Sequence, residues 1–136
     1  MRRFVLFIVS LGCLGIALGG AGYADSRDLF RQTDLHRLYQ NVNQTSFEGK
    51  LPDVPVRWGD LSKDDSYGIT HFNKEVPYSM ELDRQTIRSE SFALDVIRHE
   101  SCHIATIHEV KRLKEDPHGA TFAECMSRIQ SSERAD

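Results

Sequence analysis

The sequence predicts a small α+β domain, and three features carry that expectation. An amphipathic segment comes first, short alternating segments follow around a turn, and two helical segments close the chain. The 136 residues suffice for one core and are too few for two.

Residues 1–24 stand apart from that domain. The stretch begins with Arg2 and Arg3, runs uncharged from Phe4 to Tyr23, and closes on small residues, with Gly22 and Ala24 ahead of a cleavage point before Asp25. This is the layout of a secretory signal peptide, and it implies an extracytoplasmic protein, periplasmic or secreted. The competing reading is an uncleaved membrane anchor, because about 20 apolar residues can span a bilayer. Gly19 and Gly20 weaken a helix there and suit a cleavage region better. Cleavage removes Arg2 and Arg3 and takes the formal net charge from −3 to −5. No basic stripe remains, so no nucleic acid partner is expected.

Residues 25–136 are read as the folded domain. From Asp28 to Val42, Leu29, Phe30, Leu35, Leu38, Tyr39 and Val42 recur at helical spacing and predict a first helix packing across the domain, with His36 a polar position on it. Gly49, Pro52 and Pro55 break the chain, and alternation of Val54, Val56 and Trp58 predicts a strand. "SYGITHFNKEVPYSMELD" predicts two further strands around an Asn73–Lys74–Glu75 turn. Tyr78, Met80 and Leu82 would share one face, and Ser79, Glu81 and Asp83 the other.

From about Ser89 to Lys114 no Gly or Pro interrupts a long helix. A last helix is expected within "DPHGATFAECMSRI", with Asp116 as N-cap and Pro117 at its first position. His118, Phe122, Cys125 and Ile129 would then lie on one face.

The chemistry concentrates in "DVIRHESCHIATIHEV", residues 95–110. His99 and His103 are four apart, so on a helix they project from one side with Cβ atoms about 5–6 Å apart and can grip a single ion. Zinc takes imidazole nitrogen at about 2.0–2.1 Å, and a catalytic zinc keeps three protein ligands and an open position. Glu100 lies about a quarter-turn away, where it can reach an attacking water as general base without itself being a ligand. Three fixed positions are a short motif, so context matters. Phe92, Val96 and Ile107 extend the histidine face with apolar residues, which turns it inward, where unpaired imidazoles would be costly. The plainer reading has both histidines merely hydrogen-bonded in a core.

A third ligand must come from elsewhere. His108 lies about 140° around the helix from His103. Glu109 would need a helix-breaking glycine where Thr106 stands. Both read as solvent-facing. His118 comes after the chain has had room to reverse, beside Gly119, and is the preferred candidate over a plain surface position; Glu115 and Glu124 are weaker ones. His71 on the hairpin could approach the site, although an exposed strand histidine is the commoner role. Tyr67 or Tyr78 could supply a hydroxyl to an oxyanion, and each could equally be packing.

Cys102 and Cys125 are the cysteines that remain after cleavage. An oxidising compartment would permit a disulfide, while the blander reading, two small buried residues on helices, is held slightly ahead. Because Cys102 adjoins His103 and Cys125 shares the His118 face, a common metal would bring the two near each other.

"HESCH", a gap, then "HGATF" with Met126 and Ile129 behind it resembles the SprT-like (Spartan-type) zinc metalloprotease domain. "LYQNVNQTSFEGKLPDVPVRW" and a hairpin containing Gly68 agree, so the resemblance runs from about Leu35 to Ile129. It implies His99, His103 and His118 as zinc ligands and Glu100 as general base. It also implies a zincin-like fold: an N-terminal helix, a short antiparallel sheet over the HExxH helix, and a C-terminal helix carrying the third ligand. Many relatives act inside the cell on DNA-associated proteins, some with a cysteine-pair zinc ribbon or DNA-binding segments beyond the catalytic domain. The apparent export segment and the lack of cysteines between Met126 and Asp136 depart from that pattern. The protease chemistry carries over, and the DNA-linked role does not.

The expected function is therefore a zinc metallopeptidase of HExxH type, an exported endopeptidase acting on polypeptide. The alternative is a non-catalytic zinc-binding or protein-binding module on a protease-like fold. Intact Glu100 weighs against it, since a binding module has no use for a base there.

Overall fold

The computed structural model describes residue 30 and residues 32–132, and in it helix α1 spans Leu35–Phe47. It starts later than the apolar spacing from Asp28 suggests. Asp34 is the N-cap, its side chain accepting the Arg37 amide, and the helix runs past Val42 until Glu48 turns left-handed at φ 56°. Leu29 and the expected cleavage region fall outside the described residues, as does the whole of 1–24. Among the described residues no helix is long and apolar enough to cross a membrane.

Leu35, Leu38, Tyr39 and Val42 bury one stripe of α1. Two polar devices then fix the loop that follows. The Tyr39 hydroxyl donates to the Pro52 carbonyl across 2.6 Å, and the Asn43 amide both donates to and accepts from the Leu51 backbone at 3.0 Å. Burial, with Asp53 nearby, pushes the Tyr39 phenol up to about 12, so it stays a donor.

Three strands form one sheet: β1 (Val56–Gly59), β2 (Gly68–Asn73) and β3 (Val76–Asp83), in the order β1-β3-β2. The β2–β3 hairpin turns at Lys74, which takes φ 60°. The sheet is mixed, which corrects the expectation of an antiparallel one. β1 runs parallel to β3, pairing Val56 with Met80 and Trp58 with Leu82. The 60–67 connection carries the chain across, so β2 can lie on the far side of β3. The expected two-faced pattern of β3 also gives way: Met80 and Leu82 are fully buried, but so are Ser79 and Asp83, while Tyr78 is exposed. Asp83 is buried because its carboxylate is a hub, accepting the Leu61 amide and the Thr86 amide and hydroxyl.

The long helix α2, Glu90–Leu113, has Ser89 as N-cap, accepting the Phe92 amide, and Lys114 as a left-handed C-cap. Lys111 and Arg112 in its last turn suit the negative end of the helix dipole. Ala93, Val96, Ile97 and Ile104 bury it against α1 and the sheet.

The last helix, α3, is Ala120–Ser132 and begins three residues after the expected start. Asp116 does not cap it. Its side chain accepts the His118 amide and its carbonyl the Gly119 amide, so residues 116–119 form a tight turn that holds Pro117 and His118 ahead of the helix. His118 therefore sits before the C-terminal helix rather than on it. Among the described residues α3 packs chiefly against α2, through Phe122, Cys125 and Ile129. The two cysteines are both buried and bridged: Cys102 and Cys125 form a disulfide with Cα atoms 5.9 Å apart. Burial alone, the reading held ahead, misses the bond.

Candidate metal and active site

The middle of α2 presents His99 and His103 from one side, four residues apart, and the turn before α3 brings His118 to face them. The three Nε2 atoms form a nearly equilateral triangle: His99 to His118 3.1 Å, His103 to His118 3.1 Å, and His99 to His103 3.2 Å. A neutral imidazole has one N–H and one bare lone pair, so one proton can link only two of three such nitrogens. Lone pairs must oppose along another edge. A cation at the centre removes that repulsion, and a tetrahedral ion with bonds near 2.0–2.1 Å spaces its nitrogens by about 3.3–3.4 Å. The trio fits such an ion, and among the described residues it is the cluster that could hold a metal.

Electrostatics favour the ligand form. Burial, then the neighbouring His99 and His118, push the His103 imidazole down to about 4, and burial with His118 lowers His99. Metals bind the neutral ring, so these histidines are held ready to coordinate. His118 is exposed, leaving one side of the triangle open.

Phe122 holds the trio from beneath. Its ring centroid lies 4.4 Å from that of His103, in a stacked arrangement, 4.8 Å from His99 and 4.9 Å from His118. In the sequence Phe122 falls four residues after His118, on the same expected helix face, which is the one signal it carries. Nothing there showed one ring touching all three imidazoles.

Glu100 is 5% exposed, next to the trio on the side facing the sheet. The Thr70 hydroxyl on β2 donates to its Oε2 across 2.7 Å. Burial raises the carboxyl above its ordinary value, and the Thr70 hydrogen bonds partly offset this. Gly68 lets β2 come this close. A Cβ there would lie 2.5 Å from Val96 Cγ1 and 3.2 Å from Glu100 Cγ. A cleft of about 240 Å³ opens at this point, with Tyr67, Gly68, Phe92 and Val96 leading to His99 and Glu100. A second, of about 350 Å³, lies beyond His103 between Ile107, Val110 and Pro117.

The remaining candidates are engaged elsewhere. Thr70 points to Glu100, so its neighbour His71 projects from the opposite face, where it stacks on Tyr78 and lies 3.9 Å from Glu81. Tyr67 packs edge-on against Phe92 in the cleft beside Glu100, which separates it from Tyr78. His108 pairs with Glu75 of the hairpin turn, Glu109 with Arg112, and His36 with Asp53 and the Val54 carbonyl. Glu115 accepts the Thr121 amide and so caps α3, while Glu124 lies at another cleft beside Cys125 and Arg128.

The family model described as SprT-like matches residues 35–135, about three quarters of the chain. No curated protein matches it.

Proposed function

The chain belongs to the SprT-like family, and from the histidine trio with its buried glutamate we propose that it is a zinc-dependent endopeptidase. His99, His103 and His118 would hold the ion, and Glu100 would serve as general base. One observation carries the reading: a carboxylate buried beside three converging imidazoles, yet opening onto a cleft. A structural metal site has no need of such a group.

Zinc, when bound, supplies Lewis acidity to the scissile carbonyl and makes water a better nucleophile. The residues of the chain do the rest. Glu100 accepts the proton of the attacking water and returns it to the leaving amine. Burial raises its carboxyl above the ordinary value, which helps it hold the accepted proton until the amine leaves. Thr70 fixes one carboxylate oxygen, which leaves the other for the water. Tyr67 lines the same cleft, and its hydroxyl would be a donor for a developing oxyanion.

Polypeptide is the proposed substrate, with cleavage outside the cytoplasm. The basic, then apolar, then small-residue layout of residues 1–24 supports export, and so does the Cys102–Cys125 bridge, since such bonds persist in oxidising compartments.

The test is Glu100→Gln, with zinc content measured beside wild type. The variant should stay folded and zinc-loaded while losing roughly 10²–10⁴-fold in rate on an unfolded protein such as casein, the usual cost of removing a general base. Equal activity in both would sink the mechanism. A zinc-loaded wild type inert towards many polypeptides would instead favour a non-catalytic binding module.

A further inference from the structure

We infer that the Cys102–Cys125 disulfide is a positioning device for the third metal ligand, so that metal retention at the site depends on the redox state of the bridge. The inference rests on the metal-centre reading above and adds a form of control to it.

Three observations support it. First, the two ligand sources are unequally anchored. His99 and His103 ride on a 24-residue helix packed against α1, the sheet and α3, whereas His118 sits in a turn one residue before α3 begins. That helix has 13 residues and packs chiefly against α2 among the described residues. A helix so short is marginal without its tertiary contacts. Second, the bridge joins these two elements at the site itself. Cys102 directly precedes His103, and Cys125 lies one turn beyond Phe122, whose ring touches all three imidazoles. Third, only Gly119 separates His118 from α3, and residues 114–117 separate it from α2. Fixing α3 against α2 therefore fixes His118. With the bond gone, α3 can shift along its single packed face and carry His118 out of the triangle.

Breaking the bond requires a two-electron reductant of the dithiol class. The dithiol gives up two electrons and two protons, leaves as its own disulfide, and Cys102 and Cys125 become thiols. Both sulfurs are buried, so the reaction calls for a local opening of the α2–α3 contact.

The experiment follows zinc release from the full chain into excess chelator, before and after reduction by a dithiol, at a temperature where circular dichroism shows both forms folded. Release from the reduced chain should be roughly 10- to 100-fold faster, the usual effect of losing a group that orients a ligand. The Cys102→Ala/Cys125→Ala variant should behave like the reduced chain. Val42→Ala, a cavity in α1 remote from the site, should lower thermal stability without speeding release. In a His118→Ala background reduction should have no further effect, because the ligand that the bridge positions is already absent.

Equal release from oxidised and reduced chains overturns the inference and leaves the metal centre intact. So does an equal gain from reduction with and without His118. A reduced chain that is unfolded at every temperature makes the bridge a general staple and overturns it too. An oxidised chain that takes up no zinc defeats the metal-centre reading itself, and this inference with it.

Discussion

The Thr70 hydroxyl donates to Oε2 of Glu100 across 2.7 Å, joining the middle of an edge strand to the middle of α2, thirty residues away. Glu100 is buried, so this bond decides which way its carboxylate faces. Thr70→Val keeps the shape and removes the donor. We expect kcat to fall roughly 10- to 100-fold with zinc content unchanged, in line with the roughly 1.5–3 kcal/mol of a hydrogen bond to a charged group. Thr70→Ser should recover most of the rate. An inactive serine variant beside an active valine one would show that packing, not the hydroxyl, matters.

Gly68→Ala tests the close approach of β2 to α2. The added methyl would lie 2.5 Å from Val96 Cγ1, so strand and helix must part. Overpacking of this kind costs about 1–3 kcal/mol, and the parting should also pull Thr70 from Glu100 and lower kcat. Val96→Ala removes the obstructing methyl. The double variant should therefore be more stable than the sum of the single changes, which a double-mutant cycle in denaturant measures directly.

Asp83 should govern the acid limb of stability. Burial pushes its carboxyl up, but donors from Thr86 and Leu61 outweigh that and hold it below the usual carboxylate range. A depressed folded value means the ionised form stabilises the fold. That contribution is complete above the unfolded value near pH 4 and is lost as pH falls through the lower folded one. Asp83→Asn cannot accept all three bonds and should cost about 1–3 kcal/mol at neutral pH. Its unfolding free energy should also depend less on pH below about 4 than that of wild type. Parallel pH curves for the two proteins would refute this role.

His118 and Glu115 are three residues apart and should separate cleanly. His118→Ala should lower zinc content and remove the rise in melting temperature that zinc confers on wild type. Glu115→Ala should keep full zinc and lose about 1 kcal/mol, since its carboxylate accepts the Thr121 amide at the start of α3. Zinc loss in the Glu115 variant with retention in the His118 variant would exchange their roles.

What was legible in the sequence was local. His99 and His103 share a side of α2 because helical geometry sets the direction of residues four apart, and no partner element is needed to decide it. The hairpin turn at Lys74 and the uninterrupted run from Ser89 to Lys114 were readable for the same reason. Local signals failed where two of them competed. Asp34, not a residue near Asp28, caps α1, and Asp116 closes a turn around His118 instead of capping α3. The rest needed the tertiary structure. The parallel register of β1 on β3, the reach of Thr70 to Glu100, the contact of the Phe122 ring with His99 and His103, and the bond between Cys102 and Cys125 all join residues 19 to 30 positions apart. Spacing along a chain does not encode such distances. They follow from how the helices and the sheet pack, and that packing turns a histidine pair on one helix into a site of three converging nitrogens with a carboxylate at its side.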